Sequence, residues 1–182
     1  MSVPEPVWRA DGELLDVLHA LGCELERVEA GAYLVTLHGR RRARTLVWLI
    51  AGEQAVAVEA FVMHVVPAGC PDLAALHRHL LGRSLRMRDV HFALDDVGDV
   101  FLTGSLAAVT VESVDRVLGE VLQVLEDEQE ALLRLAYGTR LTAAGPGGDP
   151  ADEALRAKVL ADGAGRRPAG TPDWSPRRDP RR

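Results

Sequence analysis

Apolar residues recur at helical intervals in some stretches of this chain and alternate with polar ones in others, and that contrast predicts its elements. In residues 11–21, Leu14, Leu15, Val17, Leu18 and Leu21 share a helical face, with Asp11 as the expected N-cap and Gly22 as the expected residue just past the end. Residues 33–37, 42–51 and 55–66 read as strands, joined by His38-Gly39-Arg40-Arg41 and then by a two-residue turn at Gly52-Glu53. Gly69-Cys70-Pro71 breaks the chain. Asp72 can then cap a helix to about residue 81 with Leu73, Leu76, Leu80 and Leu81 as its apolar positions. Residues 90–94 and 100–107 are short strands around the turn sequence Asp95-Asp96-Val97-Gly98. The longest helix runs over 110–137, with Val111, Val114, Leu118, Val121, Leu122, Leu125, Leu132 and Leu135 at helical spacing.

The order is αβββαββα. Runs of strands separated by a helix, rather than alternating βαβ units, predict an α+β domain with an antiparallel sheet packed with helices. Composition changes after residue 140. Residues 1–140 form the expected domain. Residues 141–182 read as a linker (Gly145-Pro146-Gly147-Gly148), one possible short helix over 151–160, and a disordered Arg/Pro-rich end.

The middle hairpin separates its side chains into two faces. Thr45, Val47, Leu49, Val56, Val58, Ala60 and Val62 form a core face for the first and last helices. Arg44, Leu46, Trp48, Ala57, Glu59, Phe61 and Met63 form the other. Arg44 and Glu59 can pair across strands, whereas Leu46, Trp48, Phe61 and Met63 make a sizeable apolar patch unless something covers them. Three occupants are open from sequence: the middle helix folded over this face, a second copy of the chain, or a peptide.

The chain is 182 residues long and 47% hydrophobic, which supports a core of one ordinary domain. Its formal net charge of −6 argues against nucleic-acid binding. The charge divides unevenly. Residues 1–140 carry 13 basic and 21 acidic side chains, and residues 141–182 carry 8 basic and 6 acidic. Cys23 and Cys70 make neither a CxxC pair nor a disulfide framework, so a reducing, cytoplasmic setting is expected. No secretory signal and no membrane-spanning run are read in the sequence.

Local chemistry adds little. His77-Arg78-His79 has the wrong spacing for a helical metal site, and no metal or other cofactor is expected. Asp95, Asp96 and Asp99 lack the ligand order of a calcium loop and read as a turn. Arg40, Arg41, Arg42 and Arg44 read as a solvated turn. Glu120, Glu126, Asp127, Glu128 and Glu130 read mostly as the wet face of the last helix, with a docking surface for the basic tail as a second reading. Neither cysteine has the context of a nucleophile, and no catalytic residue is expected.

Three segments carry a family resemblance: Ala55-Val56-Ala57-Val58-Glu59-Ala60-Phe61-Val62, Leu94-Asp95-Asp96-Val97-Gly98-Asp99-Val100-Phe101-Leu102, and Val114-Asp115-Arg116-Val117-Leu118-Gly119. Together they resemble the YbjN family, in its actinobacterial form, from about residue 11 to residue 137. The resemblance implies a type III secretion chaperone-like fold and a non-enzymatic, chaperone-like role in binding a peptide or protein. It also implies a homodimer, for which Leu76 and Leu80 are the candidate contacts. The candidate partner-binding residues are Arg44, Leu46, Trp48, Glu59, Phe61 and Met63. Rival expectations are a regulatory or structural subunit of a signalling or stress-response complex, and an enzyme with a cryptic site.

Overall fold

The computed structural model describes residues 9–52, 54–65 and 70–138. Helix α1 (Arg9–Ala20) is followed by four strands, β1 (Glu24–Glu29), β2 (Ala32–Leu37), β3 (Thr45–Ala51) and β4 (Val56–Met63). Helix α2 (Leu73–Ser84), β5 (Val90–Leu94), β6 (Val100–Leu106) and the long α3 (Val111–Tyr137) complete the order. The six strands form one antiparallel sheet in the order β1-β2-β3-β4-β6-β5. The α+β class stands, with one strand more than the sequence pattern gives. That strand, β1, has the sequence ELERVE and is almost wholly exposed. Only Leu25 is partly buried, which is too little to impose alternation, and the strand's charges suit an edge position.

The helix ends follow from their residues. Asp72 caps α2 by accepting from the Ala75 N–H at 2.8 Å. Thr110 and Ser113 form a reciprocal capping box at the start of α3. Gly22 takes a positive φ of 66° after α1, where the Cys23 N–H returns to the Leu18 carbonyl at 3.1 Å. Asp11 is not a cap. It lies in the first turn of α1, where its carboxylate accepts from Arg27 Nη2 at 2.7 Å and from the Tyr33 hydroxyl. Burial, then the Asp11 hydrogen bond and charge, push Tyr33 up to about 12.

All three helices pack on one side of the sheet. Leu14 and Leu18 of α1, Leu76 and Leu80 of α2, and Val114, Val117, Val121, Leu125, Leu132 and Leu133 of α3 share a core with Val47, Leu49, Val56, Val58 and Ala60. The middle helix therefore does not cover the opposite face. Leu76 and Leu80, expected at a dimer contact, are 0% and 4% exposed inside this core. The helical stripe that marked them as apolar is the stripe that holds α2 to the sheet. The exposed apolar residues here are Leu81 of α2 and Leu85 just past its end, 68% and 88% exposed.

Candidate functional site

The β3–β4 pairing sets the geometry of the second sheet face. Ala51 faces Val56, Leu49 faces Val58, Trp48 faces Glu59 and Val47 faces Ala60. The connection spans residues 52–55 and is closed by the Gly52 N–H on the Ala55 carbonyl at 2.9 Å, so it is longer than the expected two-residue turn. The register is consequently displaced by two residues. A two-residue displacement leaves every side chain on its original face, because the pleat repeats every two residues. Leu46, Trp48, Ala57, Glu59 and Phe61 thus share the expected side.

Met63 does not. The β4–β6 register shifts between Phe61 and Met63, so Phe61 faces Phe101 and Met63 faces Val100. A bulge of this kind inserts one residue and reverses the alternation beyond it. Met63 therefore joins the helix-side core at 1% exposure and leaves the candidate face. Arg44 is exposed and precedes β3. It sits four positions from Trp48, the residue opposite Glu59, so the expected Arg44–Glu59 pair is not placed across the strands.

The face gains residues that the candidate set omitted. Ala32, Leu34, Leu46, Trp48 and Ile50 form a hydrophobic cluster separate from the helix-side core, with Ala57 packed against it. Leu34 faces Trp48 and Ala32 faces Ile50 on β2 and β3. Leu34 and Ile50 continue the alternation of their strands, and that signal could have identified them. Glu59 is 4% exposed among these apolar neighbours. The Trp48 indole nitrogen is buried and has no hydrogen-bond partner. The Phe61 end is closed differently: its ring lies 5.4 Å from Phe101 and 4.6 Å from His64, with the Arg42 guanidinium 6.0 Å away. Arg42 also donates to the Phe61 and Val62 carbonyls at 3.1 and 2.9 Å, which holds the bulge.

The remaining candidates have structural roles. Asp95 accepts from the Val97 and Asp99 N–H groups, and Gly98 takes φ 89° between β5 and β6. Asp99 accepts from the Val65 N–H at 3.1 Å and contacts His64 Nδ1 at 2.8 Å, while the Tyr137 hydroxyl donates to the His64 carbonyl at 2.8 Å. This ties the end of β4 to α3. The acids of α3 are not simply a wet face. Glu120 accepts from the Arg88 and Asp89 N–H groups, both at 2.7 Å. Glu126 accepts from the Arg41 N–H, and backbone N–H groups led by that one hold its carboxyl below the usual range. Glu128 pairs with His79 at 2.7 Å and Arg83 at 2.6 Å. Three of the expected docking acids therefore clamp this chain's own loops and α2. Burial pushes the Cys23 thiol up, helped by Asp115, which disfavours the thiolate. Among the described residues, no group of three or more His, Cys, Asp and Glu could hold a metal ion. Among the same residues, no helix is long and apolar enough to cross a membrane.

A family model, YbjN, described as "Putative bacterial sensory transduction regulator", matches residues 11–134. The chain belongs to the YbjN family. This YbjN domain is 41% identical over 108 residues to the uncharacterized protein Rv0487 of Mycobacterium tuberculosis, covering 58% of this chain and 57% of that protein. The chain thus matches a little over half the length of that relative. It is 37% identical over 142 residues to the uncharacterized protein ML2442 of Mycobacterium leprae, covering 73% of this chain and 74% of that one. Similar solved structures include the ExsC–ExsE complex (TM-score 0.49, 21% identity, 68% of this chain and 93% of that one). The HopA1–SchA chaperone–effector complex (0.48, 15%, 69% and 99%) and YbjN from E. coli (0.48, 17%, 69% and 95%) are others.

Proposed function

We propose that this YbjN domain binds another polypeptide on the second face of its sheet and has a non-catalytic, chaperone-like role in the cytoplasm. One observation carries the reading. Five apolar side chains from β2 and β3 form a contiguous cluster on the side away from all three helices. Within it, the Trp48 indole N–H is buried without an acceptor. A folded chain rarely leaves such a donor unsatisfied, and a peptide carbonyl is a suitable acceptor. Leu34, Leu46 and Ile50 supply contact area. The surface suits an apolar segment and does not suit nucleic acid.

The homodimer belongs to the same proposal. Its contact moves from Leu76 and Leu80 to the outward residues Leu81 and Leu85. A regulatory role, as the family description has it, is compatible with binding through this face.

The test is Ala57→Arg. Ala57 is only partly buried at the margin of the cluster, so an arginine there obstructs the face without opening the core. Loss of binding to apolar test peptides with an unchanged thermal midpoint supports the reading. Unchanged binding contradicts it.

A further inference from the structure

The second sheet face is buried even though no described helix lies on it. Leu34 and Trp48 are each 9% exposed, Leu46 and Ile50 each 5%, Glu59 4% and Ala32 2%. Among the described residues, the one partly buried hydrophobic side chain packed against this cluster is Ala57, which belongs to the sheet itself. The shielding has an outline. On the same face toward β5 and β6, His91 and Ser105 are exposed and Thr103 is half-buried. Phe61 and Phe101 on the same face are also buried, at 3% and 0%, where Phe61 contacts Phe101, His64 and Arg42, so the exposed margin lies at His91, Thr103 and Ser105.

We propose that the chain's own segment after Gly138, centred on residues 151–160, occupies this face as an intramolecular stand-in for the partner. The inference deepens the binding reading above and rests on it for the purpose of the face. Three considerations select this segment. The first is size. Three strands at about 4.8 Å spacing and five residues along β3 make a footprint about 10 Å by 13 Å. Ten residues in helical form are about 15 Å long and 10 Å wide, and fill it.

The second is pattern and reach. In residues 151–160, Ala151, Ala154, Leu155 and Val159 fall on one helical stripe. Residues 139–150 can span up to about 40 Å when extended, enough to pass from the end of α3 around the sheet. The third is charge. Residues 141–182 carry 8 basic and 6 acidic side chains; inside the proposed segment Asp152 and Glu153 precede Arg156 and Lys158, so only its second half is basic. The β1 side of the face carries Glu26 and also Glu24, the latter paired with His38 at 2.9 Å. Residues 1–8, the stretch outside the described residues at the opposite end of the chain, contain Glu5 and no lysine or arginine.

A partner must displace this segment to bind. The tail then sets a threshold: segments that bind the face more tightly than residues 151–160 enter, and weaker ones are excluded.

The experiment uses the full chain with Trp8→Phe and Trp174→Phe, so that Trp48 is the sole tryptophan. Emission and acrylamide quenching are compared with and without Leu155→Asp and Val159→Asp in the tail. The expected result is a red shift and a severalfold rise in quenching in the tail variant. Adding a synthetic peptide of residues 148–163 reverses both. Unchanged emission overturns the proposal. So does emission that depends on protein concentration in the parent, which makes a second copy the occupant. Exposure of Trp48 on deleting residues 1–8 but not on altering the tail also overturns it.

A second measurement does not depend on the variant folding. Lys158 is the one lysine of the chain, and a carbodiimide joins its amine directly to a neighbouring carboxylate. Links within the monomer to Glu59, Glu24 or Glu26 support the proposal. Links only to helix-side acids such as Glu112 or Glu120 overturn it. If the tail variant exposes Trp48 but binds no foreign apolar peptide, the intramolecular occupant stands and the partner-binding reading fails.

Discussion

Trp48 lies directly opposite Glu59 across the β3–β4 pair, so the buried indole and the buried carboxylate share the middle of one sheet face. A donor buried without an acceptor costs about 1–3 kcal/mol. Trp48→Phe removes that donor and keeps most of the apolar bulk. The expected outcome in a urea titration is stability equal to or above that of the parent. Polypeptide binding is expected to weaken by about three- to tenfold, the worth of roughly one ordinary hydrogen bond. A loss of stability beyond about 2 kcal/mol would mean that the indole N–H is satisfied in the folded chain.

The two sides of α2 should separate cleanly. Leu76→Ala leaves a cavity in the helix-side core, where the side chain is 0% exposed, and is expected to cost about 2–5 kcal/mol. Leu81→Ala, at a position 68% exposed, is expected to change monomer stability by no more than about 0.5 kcal/mol. Chemical denaturation of both variants checks the assignment of Leu76 to the core and not to a dimer contact.

Tyr33 gives a pH dependence with a defined sign. Its folded value, about 12, lies above the ordinary 10.0. The folded state therefore holds the phenolic proton more tightly than the unfolded state does. The resulting stabilisation is fully present below pH 10 and is lost as pH rises toward 12. Thermal midpoints across this range should fall in the parent, and Tyr33→Phe should flatten that part of the profile. An equal fall in the variant would assign it to other groups.

Asp99 joins the β5–β6 turn to the end of β4. Asp99→Asn keeps the shape but replaces a carboxylate that receives the Val65 N–H and the His64 ring. The expected cost is about 1–3 kcal/mol, measured by urea unfolding. Amide exchange should rise first at the end of β4, at His64 and Val65, which this tie anchors.

Much of the fold could be read from periodicity. The helical stripes of α1, α2 and α3 and the alternation of β3 and β4 rest on burial against a single core, so the pattern and the structure agree. What escaped lacks that cause. β1 is almost wholly exposed, with only Leu25 partly buried against the core, and one such position carries no alternation. The Val62 bulge is held by Arg42, nineteen residues from Phe61 in sequence, and no local pattern announces it. Met63 therefore reads as a member of the face that holds Trp48, although it belongs to the core. The face itself was legible because a register displaced by two residues keeps its parity. The loop-clamping roles of Glu120, Glu126 and Glu128 were not legible, because each depends on a contact far away in sequence and looks like an ordinary charge on an exposed helix face.

The most direct measurement places a photo-crosslinking side chain at Ala57, beside the Trp48–Glu59 pair, and another at Glu13, exposed on α1. Each full-length variant is irradiated in its native cell, and the products are mapped by mass spectrometry. The expected result is that position 57 joins to polypeptide segments rich in apolar residues, from the chain's own tail or from a partner, and position 13 does not. Position 57 giving no polypeptide adducts, or the same adducts as position 13, would contradict the assignment of this face to polypeptide binding.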